Sequence, residues 1–147
     1  MPYLFIAFAL LGGAVLPLQA LINARLGGAM NGAVWAATIS FAVGTIGLLA
    51  FQLAKRTPIP NAEQAAAVPA WAWAGGLLGA FYVVAATTTV PRLGAAAMIS
   101  LVVLGQMAAS LLLDHFGVLS GVQPISPVRV VGTLMLLGGV VLIVWSR

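Results

Sequence analysis

The sequence predicts an all-α integral membrane protein that crosses the bilayer five times. Three observations carry this. The 147-residue chain is 63% hydrophobic and 5% charged, whereas a soluble domain carries about 25% charged residues. Its mean hydropathy is +1.15. Its apolar residues also fall into five runs, each near the ~20 residues that ~30 Å of hydrocarbon requires. Too little polar surface exists to coat a water-soluble globule.

The first helix is expected over residues 3–23. It lacks a positively charged start, and its apolar run over 3–18 is longer than the apolar part of most signal peptides, so it reads as a retained helix. Its end, "PLQALINARLG", gathers Gln19, Asn23 and Arg25. Gln19 and Asn23 are spaced i, i+4 and share one side, with Gly12 two turns earlier on that side. Pro17 removes a backbone donor and should loosen the helix locally.

The second helix, 32–54, aligns Thr38, Thr45 and Gln52. The third, 70–90, opens with "GGLLG" and places Gly75, Gly79, Tyr82, Ala86 and Thr89 on one stripe. Small residues spaced this way let helices approach closely in lipid, so Gly75 and Gly79 are packing candidates. The fourth, 93–113, carries Gln106, Ser110 and Asp114 as a polar ribbon, and the fifth covers 128–145. "TVPRLG" is too short to join helices 3 and 4 as anything but an antiparallel hairpin. Residues 55–69 and 114–127 are rich in Pro, Gly, Ser and Asn and read as loops. Trp35, Trp71, Trp73 and Trp145 stand near helix ends, where indole rings anchor at the membrane surface. The whole chain, 1–147, reads as a single five-helix domain. "RLGGAM" (25–30) is echoed by "RLGAAAM" (92–98), which chance in an Ala/Gly-rich chain explains better than an old hairpin duplication.

The polar inventory excludes several functions. Six basic residues scattered singly make no nucleic-acid stripe, despite a net charge of +4. Without cysteine, and with one histidine and two acids, the chain offers neither a metal centre nor a cofactor site. It is not expected to be an enzyme. The Asp114-His115 pair reads as a capped helix end, and Arg25 as an interfacial snorkeller. Thr38, Thr45 and Ser100 are expected to bond back to their own helices.

Five crossings put the termini on opposite sides. Lys55, Arg56 and Arg129 then face Arg25, Arg92 and Arg147 across the membrane, three against three. The bias that normally fixes orientation is absent, which predicts insertion both ways and antiparallel pairing. An amide turned toward lipid would leave donors unsatisfied at several kcal/mol. Gln19, Asn23 and Gln106 should therefore face protein or water. With Tyr82, Thr89 and Ser110 they are the candidates for lining a substrate pathway. No acid stands in the middle of a span, where proton-coupled exporters keep one, so a neutral or zwitterionic substrate suits this lining better than a cation.

The stretches "GGAVLPLQALINARLG", "ISFAVGTIGLLAFQL" and "LLGAFYVVAATTTVPRLGAAAMISLVVLGQMAASLLLDHFG" resemble the five-helix YdcZ-type branch of the drug/metabolite transporter superfamily. The resemblance spans nearly the whole chain. It implies a half-transporter that assembles with an oppositely oriented copy or paralogue in a bacterial inner membrane. It also implies transport of a small metabolite or drug-like molecule by alternating access, with the cargo unassigned. Small multidrug resistance relatives carry an acid in the middle of helix 1, and this chain does not, so their cation–proton exchange does not carry over. The alternatives are a channel-like pore of similar build and a non-transporting subunit of a membrane complex.

Overall fold

The computed structural model describes residues 2–118 and 122–146; Arg147, counted above among the loop charges, lies outside them. Among the described residues the secondary structure is helical, with no strand. Helix α1 covers Pro2–Ala29, α2 Ala33–Lys55, α3 Ala62–Ala66, α4 Gly75–Phe116 and α5 Pro127–Trp145, and a 3-10 turn over Ala70–Ala74 precedes α4. Among the described residues, four stretches are long and apolar enough to cross a membrane, namely Tyr3–Ala29, Ala33–Lys55, Ala70–Phe116 and Pro127–Trp145.

Helix α1 runs six residues beyond its expected end at Asn23. Pro17 lies inside it, where its missing N–H leaves the Gly13 carbonyl without a helical donor. The Gln–Asn–Arg segment does not stop the helix, because polar side chains do not terminate one; a left-handed residue does. Asn31, at φ 59°, takes that conformation, and the Gly32 N–H closes on the Gly27 carbonyl at 2.9 Å. This is a Schellman closure, which satisfies a terminal carbonyl from within the chain.

Helix α2 matches its expected limits within a residue and closes the same way. Arg56 adopts φ 53°, and the Thr57 N–H donates to the Gln52 carbonyl at 3.0 Å. The segment expected to be a plain loop contains the five-residue α3. Its start is a capping box: the Gln64 N–H donates to Asn61 Oδ1 at 2.8 Å, and the Asn61 N–H to Gln64 Oε1 at 2.9 Å.

Two helices with a short turn between them, 70–90 and 93–113, were expected from the sequence, and α4 is two helical arms that meet at a kink inside the expected turn, "TVPRLG". Residues 70–74 form the 3-10 turn instead of the start of the third helix, and the non-helical residue of α4 is Gly94, at φ 71° and ψ 165°. The break therefore falls three residues after the proline. Pro91 has no N–H to give the Thr87 carbonyl, which weakens the helix. The chain then breaks where glycine permits a conformation essentially closed to residues with a Cβ. Residues 75–93 and 95–116 are the two arms of α4. The second arm extends past the expected Leu113 to Phe116, where Gly117 at φ 63° and a Val118 N–H to Leu113 carbonyl bond of 3.1 Å end it. Ser126 caps α5, its hydroxyl accepting from the Arg129 N–H at 3.3 Å, with Pro127 at the first helical position.

Contacts divide the chain into two units, Leu18–Arg92 and Met1–Pro17 with Leu93–Arg147. In the first, Ala20 and Asn23 of α1, Ala36 and Ala37 of α2, and Val83, Ala86, Thr87 and Val90 of the first arm of α4 are buried. In the second, Ala97, Met98 and Val140 are buried. Large side chains face outward, Phe5 being 72% exposed, Phe81 76% and Leu142 72%. Small residues inside and bulky apolar ones outside invert the soluble pattern and match helices that pack in lipid.

Candidate functional site

Within the Leu18–Arg92 unit, α1 and α2 border an open groove of about 240 Å³ lined by Gln19, Ser40, Phe41, Gly44, Thr45 and Leu48. It offers an amide, two hydroxyls and an aromatic ring, and no charge. Gly44 lets the groove reach the α2 backbone: nothing lies within 4 Å of where its Cβ would be. On the other side of Phe41 stands Gly79 of α4, whose added Cβ would lie 3.3 Å from Phe41 Cζ and 3.7 Å from Cε1.

A second close approach joins α1 to α4. A Cβ at Gly27 would stand 3.4 Å from Thr87 Cγ2 and 3.4 Å from the carbonyl carbon and oxygen of Gly32. Thr87 is 3% exposed, and among the described residues its hydroxyl has no hydrogen-bond partner; the Tyr82 hydroxyl is likewise buried without one. Buried hydroxyls left unpaired are uncommon and costly.

The residues expected to line a pathway are placed as follows. Gln19 lines the groove. Asn23, one turn further along α1, is buried. Tyr82 and Thr89 are half-buried on the first arm of α4, while Gln106 and Ser110 are exposed on its second arm. Gly75, unlike Gly79, has open space where a Cβ would be.

The hydroxyls expected to bond back to their own helices divide. Thr38 donates to the Val34 carbonyl at 2.9 Å and Ser100 to that of Ala97 at 3.0 Å, whereas Thr45 lines the groove. Ser40, Phe41 and Thr87 carry no signal of their own in the sequence. Their importance comes from the neighbouring helix.

The polar ribbon on the second arm ends in an ion pair. Asp114 accepts from Arg129 Nη1 at 3.3 Å, and Arg129 Nη2 donates to Gln123 Oε1 at 2.7 Å. The Gln123 N–H returns to the Asp114 carbonyl at 2.8 Å. His115 meets Phe116 edge to face at 5.2 Å between centroids. Asp114 thus pairs across the turn into α5 from a solvent-accessible helix end. Arg25 is exposed in the closing turns of α1.

Apolar spans and small-residue packing define an integral membrane protein. A family described as "Putative inner membrane exporter, YdcZ" matches residues 4–142, and the chain belongs to that family. It is a membrane transporter integral to the inner membrane. No curated protein and no solved structure matches it.

Proposed function

We propose that the chain is a small secondary transporter or facilitator. It moves a neutral or zwitterionic metabolite or drug-like molecule by alternating access, as an antiparallel homodimer of five-span subunits. The observation that carries this is the groove, whose lining of Gln19, Ser40 and Thr45 offers hydrogen bonds without a charge. Of the two acids, Glu63 lies in the short α3 and Asp114 in the last turn of α4. Neither is placed for a proton exchange in mid-span.

The antiparallel pair is supported by the balanced loop charges and by the length of the third apolar stretch. Its 47 residues amount to about 70 Å of helix, enough for two crossings with the break at Gly94 between them. Exposed Gln106 and Ser110 then find partners in a second copy or in the pathway instead of lipid. Two inverted copies create a two-fold axis in the membrane plane, which lets one site open to either side.

The test begins with a thermal-shift ligand screen on purified protein, followed by flux of each hit in proteoliposomes. Saturable flux with counterflow is expected, and Gln19→Ala should abolish the ligand shift. Unsaturable, electrogenic current would replace the carrier with a pore. A cysteine placed at each terminus, in a chain that has none of its own, reports orientation by labelling from outside intact cells. Both termini should react in separate fractions; one accessible terminus in every copy would remove the antiparallel pair.

A further inference from the structure

We infer that residue 79 sets the size of ligand the groove accepts, acting through Phe41. The inference rests on the reading of the groove as a ligand site and names a determinant of its selectivity. Phe41 is a groove-lining residue and is 41% exposed, so its ring is not locked on all sides. Its tip lies over Gly79, where a Cβ would come within 3.3 Å of Cζ. That is tighter than ordinary van der Waals contact, so any side chain at 79 must displace the ring.

Glycine at 79 has no turn to make, since it lies inside the regular first arm of α4. What it supplies is space. The ring reclines against the α4 backbone and leaves the groove open. A larger residue levers the tip away from α4 and across the lining that Phe41 shares with Gln19, Ser40 and Thr45. The groove, at about 240 Å³, is already smaller than the ~300–1,000 Å³ of drug-sized pockets. A shift of one ring therefore changes which molecules fit. Gly79 is a positioning residue and Phe41 is the surface that the ligand meets.

The test reads the groove without needing its ligand. Thr45→Cys provides a single thiol, and its labelling rate in proteoliposomes is measured with N-ethylmaleimide and with the bulkier fluorescein-5-maleimide. Adding Gly79→Val should slow labelling by about tenfold, the cost of forcing an overpacked ring aside to admit the reagent. The bulkier reagent should be slowed more. Phe41→Ala in that background should restore the rate. Gly79→Ala, which displaces the ring by only a few tenths of an ångström, should give a smaller slowing in the same order of reagents; it also serves if the valine variant does not fold.

Rates indifferent to residue 79, or not restored by Phe41→Ala, overturn the inference and leave the groove as a ligand site. Failure of Thr45→Cys to label with Gly79 intact would show a groove closed to water, and would remove the ligand site and the inference together.

Discussion

Asp114 and Arg129 meet at 3.3 Å, joining the end of α4 to the first turn of α5. Their side chains are 35% and 40% exposed, so solvent screens the pair and its net contribution is about 0–1 kcal/mol. Asp114→Asn should accordingly lower the thermal midpoint of the detergent-purified protein only slightly. The difference from wild type should shrink further in high salt, and a large, salt-insensitive loss would show that the side chain does more than pair with Arg129.

Gly27 faces Thr87 and the backbone of Gly32, each 3.4 Å from where its Cβ would be. Alanine fits at the limit of contact, and leucine does not. Gly27→Leu should cost about 1–3 kcal/mol of stability by overpacking, read as a lowered thermal midpoint, while Gly27→Ala should stay near wild type.

The unpaired Thr87 hydroxyl makes a prediction of the opposite sign. A buried donor without a partner costs about 1–3 kcal/mol, and valine replaces it with a methyl group of the same shape. Thr87→Val should raise stability, and Thr87→Ser should not. A destabilised valine variant would mean that the hydroxyl is bonded in the membrane, by water or by substrate.

Gly94 holds φ 71° and ψ 165°, a region that costs a residue with a side chain about 1–3 kcal/mol. Gly94→Ala should lower the yield of folded protein and its thermal midpoint. Alanine at Gly28, which has open space where a Cβ would be, is the control and should change neither.

The limits of α2 and α5 were legible because their apolar runs stop at 55–69 and 114–127, whose Pro, Gly, Ser and Asn read as loops. The end of α1 was not, because Gln19, Asn23 and Arg25 suggest an approaching surface, whereas Asn31, a left-handed stop, is what closes the helix. The capping box of α3 was present in the spacing of Asn61 and Gln64, but a five-residue helix gives no hydrophobic period to draw attention to it. In α4 the turn "TVPRLG" was legible as the break between two helices, but not which of its residues takes the non-helical conformation: proline weakens a helix, and Gly94 is where it parts.

For the site, the three consecutive threonines are instructive. Spacing from Gly75 and Gly79 singled out Thr89, whereas the structure buries Thr87, bonds Thr88 to the Val84 carbonyl at 2.8 Å and leaves Thr89 half-buried. Successive helical residues differ by about 100° of rotation, and only the neighbouring helix decides which direction is inward. Gln19 was legible because an amide in lipid needs a reason. Ser40 and Phe41 were not, since serine and phenylalanine are both ordinary in a span.

The unequal lengths of α1 and α5 set a condition on the surrounding lipid. With 28 residues, α1 is about 42 Å long, whereas the 19 residues of α5 make about 28 Å. Hydrocarbon some 30 Å deep matches α5 upright and leaves α1 roughly 12 Å in excess. That excess is absorbed by leaning or by carrying a turn or two, Arg25 among them, into the headgroups. Acyl-chain length thereby becomes a variable acting on the helix that bears Gln19 and Asn23, so short- and long-chain lipids should not give equal transport rates.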